Sequence, residues 1–227
     1  AFKDVFWARR GNTAVTGDYI GTNNAQDLVF KTNGNEIGRL SGDGDVRVQI
    51  GEGNIASATN STAIGYYTTA SGVNSIALGS YATASGGLSV AMGDYTTASE
   101  NVSTAMGYYT TASGIASTAI GNVTKSKSYA GTVIGSFNDS TNAASSSSYN
   151  ALNRAFQIGN GTADNARSNA MTVLFNGKTG IGTTTPDSLL TVTQGASFGR
   201  GIYAPNLPSG KKAKQVFWDN GTFYQAD

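Results

Sequence analysis

Seven glycines stand 14 residues apart without a miss: Gly51, Gly65, Gly79, Gly93, Gly107, Gly121 and Gly135. Each follows a large apolar residue, in order Ile50, Ile64, Leu78, Met92, Met106, Ile120 and Ile134. A fixed short period restricts a chain to architectures in which identical units stack on their neighbours along one axis. The cleanest copies begin at Ser61 and Ser103 (Ser-Thr-Ala-Ile/Met-Gly-Tyr-Tyr-Thr-Thr-Ala-Ser-Gly); a degenerate copy opens the array at Arg47, and looser ones follow from Ser117 and Gly131.

The unit cannot be helical. Most copies hold two glycines, and each costs ~1 kcal/mol against Ala inside a helix. The second position is β-branched in every copy (Val48, Thr62, Ile76, Val90, Thr104, Thr118, Thr132). The run β-branched, small, large apolar, Gly alternates as a short strand does. Ala-Ser-Gly then supplies turn chemistry, because Gly takes positive φ without penalty. Fourteen residues therefore hold about two short strands and two turns. Coils stacked at the strand spacing of ~4.8 Å make a rod segment of roughly 30 Å. The expected fold is all-β: a parallel β-roll of 14-residue coils flanked by β-hairpin modules. A coil with one large apolar residue buries little surface by itself. The alanine row before the glycines (Ala63, Ala77, Ala91, Ala105, Ala119) is expected to let other chains approach closely, giving a cyclic homo-oligomer, expected as a homotrimeric fibre.

Four segments follow. Residues 1–46 read as an N-terminal hairpin module, with Val5-Phe6-Trp7 as a strand seed, turns at Gly11-Asn12, Asn33-Gly34 and Asp43-Gly44, and a strand over 27–32. Residues 47–144 are the repeat roll. Residues 145–199 form a serine-rich neck and a second hairpin module, with strands over 171–175 and 179–182 joined by Asn176-Gly177. Residues 200–227 close with a hairpin tip, Val216-Phe217-Trp218 and Thr222-Phe223-Tyr224 about Asn220-Gly221.

Composition removes several function classes. Charged residues are 13% of the chain and the net charge is +1, so no basic field exists to bind nucleic acid. Cysteine and histidine are both absent, which excludes a disulfide framework and a Cys/His metal site. No metal and no cofactor are expected. No apolar run approaches the ~18 residues of a membrane span, so no membrane insertion by this chain is expected. No signal peptide is recognised, and a first residue of Ala1 is read as a processed product or excised fragment. A surface rich in Ser, Thr, Asn and Gly suits an extracellular fibre. The carboxylates are scattered, as at Asp139, Asp164 and Asp187, and no general base or thiol is supplied by His or Cys. The chain is read as non-enzymatic, with a glycosidase-like pair across neighbouring chains as the remaining alternative.

Other features read as structure. Asp43-Gly44-Asp45 resembles part of a calcium loop, but the closing position is Asn54, so a turn is expected. Gly51-Glu52-Gly53 lacks the helix of a dinucleotide loop. Lys211, Lys212 and Lys214 read as a solvated loop. Position seven of the repeat carries Tyr67, Tyr81, Tyr95 and Tyr109, then Val123 and Phe137. The row has two readings: like residues stacked along a solenoid edge, or a candidate glycan-binding ladder.

Ser75-Ile-Ala-Leu-Gly and Ser89-Val-Ala-Met-Gly, each with Ala-Ser following, resemble the head repeats of trimeric autotransporter adhesins over roughly 47–144. That resemblance implies a left-handed parallel β-roll assembled as a homotrimer and used for attachment. Residues 156–193, with Phe-Gln-Ile-Gly-Asn-Gly and Gly-Ile-Gly-Thr-Thr-Thr-Pro, are similar to connector modules of phage-type fibres and secreted bacterial fibres. Such fibres imply a self-cleaving chaperone after Asp227. The combined expectation is a non-enzymatic attachment fibre of a phage or phage-derived injection particle, on the virion or particle surface. The alternatives are an adhesin head of the autotransporter type, extracellular or at the cell surface, and a glycan-degrading spike. The expected partners are two further copies of the chain and a cell-surface glycan or protein receptor.

Overall fold

A computed structural model describes residues 24–41, 45–141 and 144–193, together with the strands Val216–Asp219 and Thr222–Gln225. Among the described residues there is no helix. The repeat is a parallel β-roll. Each coil contributes one long strand, from Thr62–Tyr66 through Ile76–Ser80, Val90–Asp94, Thr104–Tyr108 and Thr118–Asn122 to Thr132–Ser136. Each also contributes a two-residue strand, from Ile55–Ala56 to Lys125–Ser126, and the six short strands form a second sheet. Pairing is parallel and advances by one repeat throughout, with Ala63 opposite Ala77, Gly65 opposite Gly79 and Thr97 opposite Thr111. Every rung therefore meets a near copy of itself.

Two corners close each coil, and both use left-handed backbone. One lies at Asn60, Asn74, Leu88, Val102, Ala116 and Ala130, with φ between 51° and 61°. The other lies seven residues on, at Tyr67, Tyr81, Tyr95, Tyr109, Val123 and Phe137, with φ between 38° and 53°. Left-handed backbone costs a non-Gly residue ~1–2 kcal/mol, and a β-branched one is least suited to it. Asn60 and Asn74 hold the corner at least strain, and the Asn60 amide donates to the Asn74 side-chain oxygen at 3.1 Å. Val102→Asn, at φ 61° and an exposed site, is expected to stabilise the roll by ~1 kcal/mol. A thermal melt that shows no rise for this variant removes the strain argument.

The repeat glycines have a specific reason. From Gly51 to Gly135 their φ values run between 104° and 136°. A Cβ on Gly65 would stand 1.8 Å from the Gly79 carbonyl oxygen, and one on Gly93 would stand 2.0 Å from that of Gly107. Side chains are barred both by the backbone angle and by the coil beneath.

The roll interior corrects one expectation. The alanine row does not face other chains: Ala63, Ala77, Ala91, Ala105 and Ala119 are fully buried inside the coil. They meet the alanines of the short strands (Ala70, Ala84, Ala98, Ala112) and flanking Ser61, Ser75, Ser89, Ser103 and Ser117, all equally buried. Thr68, Ala82, Thr96, Thr110 and Thr124 complete the interior. From Ser61 to Thr124 the roll interior is filled by small side chains only, alanine, serine and threonine. The alternation then throws the large residues outward, and Ile64, Leu78, Met92 and Met106 are only half-buried while Ile120 and Ile134 are exposed.

The long-strand sheet continues at both ends. The hairpin Leu28–Thr32 and Asn35–Leu40, turning at Asn33-Gly34 with both residues at positive φ, pairs antiparallel onto Val48–Ile50. At the other end, Arg154–Asn160 adds a parallel rung, with Ile134 opposite Ile158 and Gly135 opposite Gly159. The period lengthens here from 14 to 24 residues, and the described residues 137–141 and 144–153 lie outside the strands. Asn169–Leu174 and Thr179–Ile181 then follow antiparallel, turning at Gly177 with φ 84°. The strand Val216–Asp219 pairs antiparallel with Thr222–Gln225. The expected turn at Asp43-Gly44 and the lysines Lys211, Lys212 and Lys214 lie outside the described residues, as do Val5-Phe6-Trp7 and Gly11-Asn12.

Candidate functional site

Because alanine and glycine point inward along each long strand, the outward positions form a sheet face of their own. Its central row is Ile64, Leu78, Met92, Met106, Ile120 and Ile134; beside it run Thr62, Ile76, Val90, Thr104, Thr118 and Thr132. Ile76 and Ile120 are each 39% exposed and Ile134 36%. These outward rows form a continuous, partly exposed apolar strip along the roll of the single chain. Contiguous exposed apolar area on a soluble protein marks a contact surface.

The tyrosine row lies along one corner. The shared left-handed backbone aims each ring the same way, so successive rings overlay. Tyr81 and Tyr95 stack at 4.7 Å and 15°, and Tyr95 and Tyr109 at 4.6 Å and 8°. Tyr67 stacks on Tyr81 at 5.7 Å, and its other face rests on Gly53, where a Cβ would stand 2.8 Å from the ring. Tyr66 and Tyr108 meet Tyr67 and Tyr109 edge-on, each at 4.6 Å. Ring faces inside the row are occupied by other rings, so solvent meets edges and hydroxyls. Sugar rings cannot stack face-on within the row; a glycan contact there would use those edges. Partial desolvation, reinforced by the phenols of Tyr109 and Tyr81, raises the Tyr95 pKa above its ordinary value. Past Val123, Arg167 places its guanidinium 5.7 Å from the Phe137 ring.

The far end of the roll carries a polar cap that no sequence motif announces. Asn138, fully buried, accepts from the Lys125 N–H at 2.7 Å and donates to the Lys125 carbonyl at 3.0 Å. Its amide thus imitates the next backbone strand at the open edge of the short-strand sheet. Gln49 serves the opposite edge by accepting from the Ala56 N–H at 2.7 Å. The Asp139 carbonyl accepts from the Arg154 guanidinium, from Gln157 at 3.2 Å and from Asn138 at 3.3 Å. Arg154 is 4% exposed, and burial lowers its pKa against the opposing pull of Asp139. These cap residues are scattered from 138 to 157, which is why only folding brings them together.

For Asp139, burial raises the carboxyl pKa, but hydrogen bonds from the Thr141 hydroxyl and N–H and the charges of Arg154 and Arg167 outweigh it. The net shift is downward. A carboxyl with a depressed folded pKa contributes stability that is present above its unfolded value of ~3.9 and lost as pH falls through the folded one. Melting temperature is expected to fall below about pH 4, and Asp139→Asn to flatten part of that fall. An unchanged acid profile in the variant would show that Asp139 is not the linked group. Asp164 is held low by its bond from Arg167, and Asp187 by Thr191 and Ser188. Asp139 and Asp164 both feel the charge of Arg167, whereas Asp187 engages Thr191, Ser188 and Lys178. Among the described residues no three Asp or Glu side chains converge to hold a metal. An open cavity of about 460 Å³ near the N-terminal end is lined by Asp27, Glu36, Arg39 and Arg47. Its arginines are paired, Arg39 with Asp27 and Glu36, Arg47 with Asp45.

Fold and surface together define a repeat protein: a parallel β-solenoid of about 14-residue coils that presents rows of like side chains. Residues 50–124 match the YadA head domain repeat in overlapping stretches, 50–68, 56–82, 70–99, 84–109 and 98–124. The matched stretch is about a third of the chain and covers the most regular part of the roll. No curated protein and no solved structure matches the chain. The segment likened to phage connector modules therefore has no counterpart among the comparisons, and the matched repeats favour the adhesin head over the tail fibre.

Proposed function

We propose that the chain is the head of a trimeric, autotransporter-type adhesin, non-enzymatic and displayed at a cell surface or in the extracellular space. The observation that carries this reading is the outward apolar strip on a roll whose repeats are those of adhesin heads. A strip running the length of a straight sheet suits contact with copies of itself. Three chains about a common axis would bury it while leaving the tyrosine corner outward as the attachment side. Threefold display multiplies weak contacts with a glycan or protein receptor into avidity. Light scattering tests the assembly: three times the 23.3 kDa chain mass is expected. The paired variant Met92→Lys, Met106→Lys should release monomers or unfold. A folded wild-type monomer at micromolar concentration overturns the trimer. Beads coated with the trimer should adhere to epithelial cells more than beads coated with a non-adhesive protein, and equal adhesion would overturn the attachment role.

A further inference from the structure

The tyrosine row has a chemistry independent of attachment. Tyr81, Tyr95 and Tyr109 are 40–43% exposed, so a solvent-borne oxidant reaches their edges. Tyr95 stands between two phenols whose ring centres lie 4.7 and 4.6 Å away. Those neighbours belong to adjacent coils, 14 residues off in sequence in each direction. By contrast, the ring recorded beside Tyr149 is Phe175, at 5.5 Å, which has no phenol to couple with.

We propose that the row is an oxidative modification site, where a peroxide-driven one-electron oxidant joins Tyr95 to Tyr109 or Tyr81 as a dityrosine staple between adjacent coils. Each of two phenols gives up one electron and one proton and becomes a phenoxyl radical. The stacked rings share the unpaired electron along the row, which brings two radicals into contact. A carbon–carbon bond then forms between ring positions ortho to each oxygen. The displaced ring hydrogens move to the oxygens as aromaticity returns, so both hydroxyls survive. One peroxide accepts the two electrons and two protons and leaves as two waters. The chain becomes lighter by two hydrogens. Parallel rings must tilt for the ortho carbons to meet, and their exposed edges leave that motion open. The staple would tie neighbouring rungs whose other links are backbone hydrogen bonds and packed alanine.

The test treats the full chain with hydrogen peroxide and a haem peroxidase, then maps cross-linked peptides by mass spectrometry. A preparation mixed from nitrogen-14 and nitrogen-15 chains separates links within a chain from links between chains. The expected product joins Tyr95 to Tyr109 or Tyr81 within one chain. Tyr95→Phe keeps a stacked ring but removes the central phenol, so the Tyr81–Tyr95 and Tyr95–Tyr109 peptides should vanish and dityrosine fluorescence should drop to what the pairs Tyr66–Tyr67, Tyr67–Tyr81 and Tyr108–Tyr109 supply. Tyr109→Phe should leave the Tyr81–Tyr95 link alone, and circular dichroism melts check that both variants fold. No dityrosine in wild type, links chiefly between chains or at Tyr149, or undiminished yield in Tyr95→Phe each overturn the proposal.

Discussion

Gly93→Ala is expected to destabilise the roll by ~4 kcal/mol or more, which for a chain of this size lowers the melting temperature by roughly 8–16 °C. The methyl would lie 2.0 Å from the Gly107 carbonyl oxygen and 2.9 Å from its carbonyl carbon, both backbone atoms of the next coil. Relief would require separating two rungs and losing their ladder bonds. The backbone angle adds to this, since φ is 127° where L side chains are scarcely accommodated. Gly87→Ala is the matched control. Its Cβ would meet the Asn101 side-chain oxygen at 3.1 Å, the acceptor of the Gly87 N–H, with the next neighbours, the Val73 carbonyl oxygen included, at 3.9 Å. Calorimetric melts of the two variants should therefore diverge sharply. Equal, small losses would show that the coils can separate at little cost and that the period has another origin.

Asn138→Leu is expected to cost ~3 kcal/mol and to promote association of the protein. The Lys125 N–H and C=O would both lose the partner that now answers them, and a buried unanswered polar group costs ~1–3 kcal/mol. The damage goes beyond local stability, because the short-strand sheet would end in an unpaired edge, a template for further strands. Asn138→Asp retains an acceptor for the Lys125 N–H and loses the donor, so its loss should be intermediate. Denaturant melts with light scattering read both effects. A soluble, unchanged Leu variant would mean that water caps this edge as well as the amide does.

The period, the roll strands and the turns at Asn33-Gly34 and Asn176-Gly177 were legible because each is written locally. Gly at every fourteenth position, a β-branched residue at a fixed place and Asn-Gly between strands carry their own backbone reasons. The direction of the strand was not. In Thr62-Ala63-Ile64-Gly65-Tyr66 the alternation divides the residues cleanly, but general burial preference puts Ile64 inside and Ala63 outside. The small-residue interior of the roll reverses that preference. The second corner was hidden for a related reason: left-handed backbone at Tyr67 or Val123 carries no glycine or asparagine to mark it. The tyrosine row was visible as a stripe, but not the face-to-face stacking that covers its rings. Most remote from sequence was the cap, since Asn138, Asp139, Arg154 and Gln157 share no spacing and meet only in the folded chain.

Register has a consequence for reach. Each rung bonds to positions 14 residues before and after, and the interior repeats with the same step. Inserting one whole copy, such as a second 89–102, therefore asks for no new kind of contact. It would lengthen the rod by one strand spacing, ~4.8 Å, and leave both ends seated as before. An assembly of identical chains would gain the same increment in every protomer. Coil number is thus a ruler, and the distance between the two ends of the roll can change by simple duplication without redesign of either.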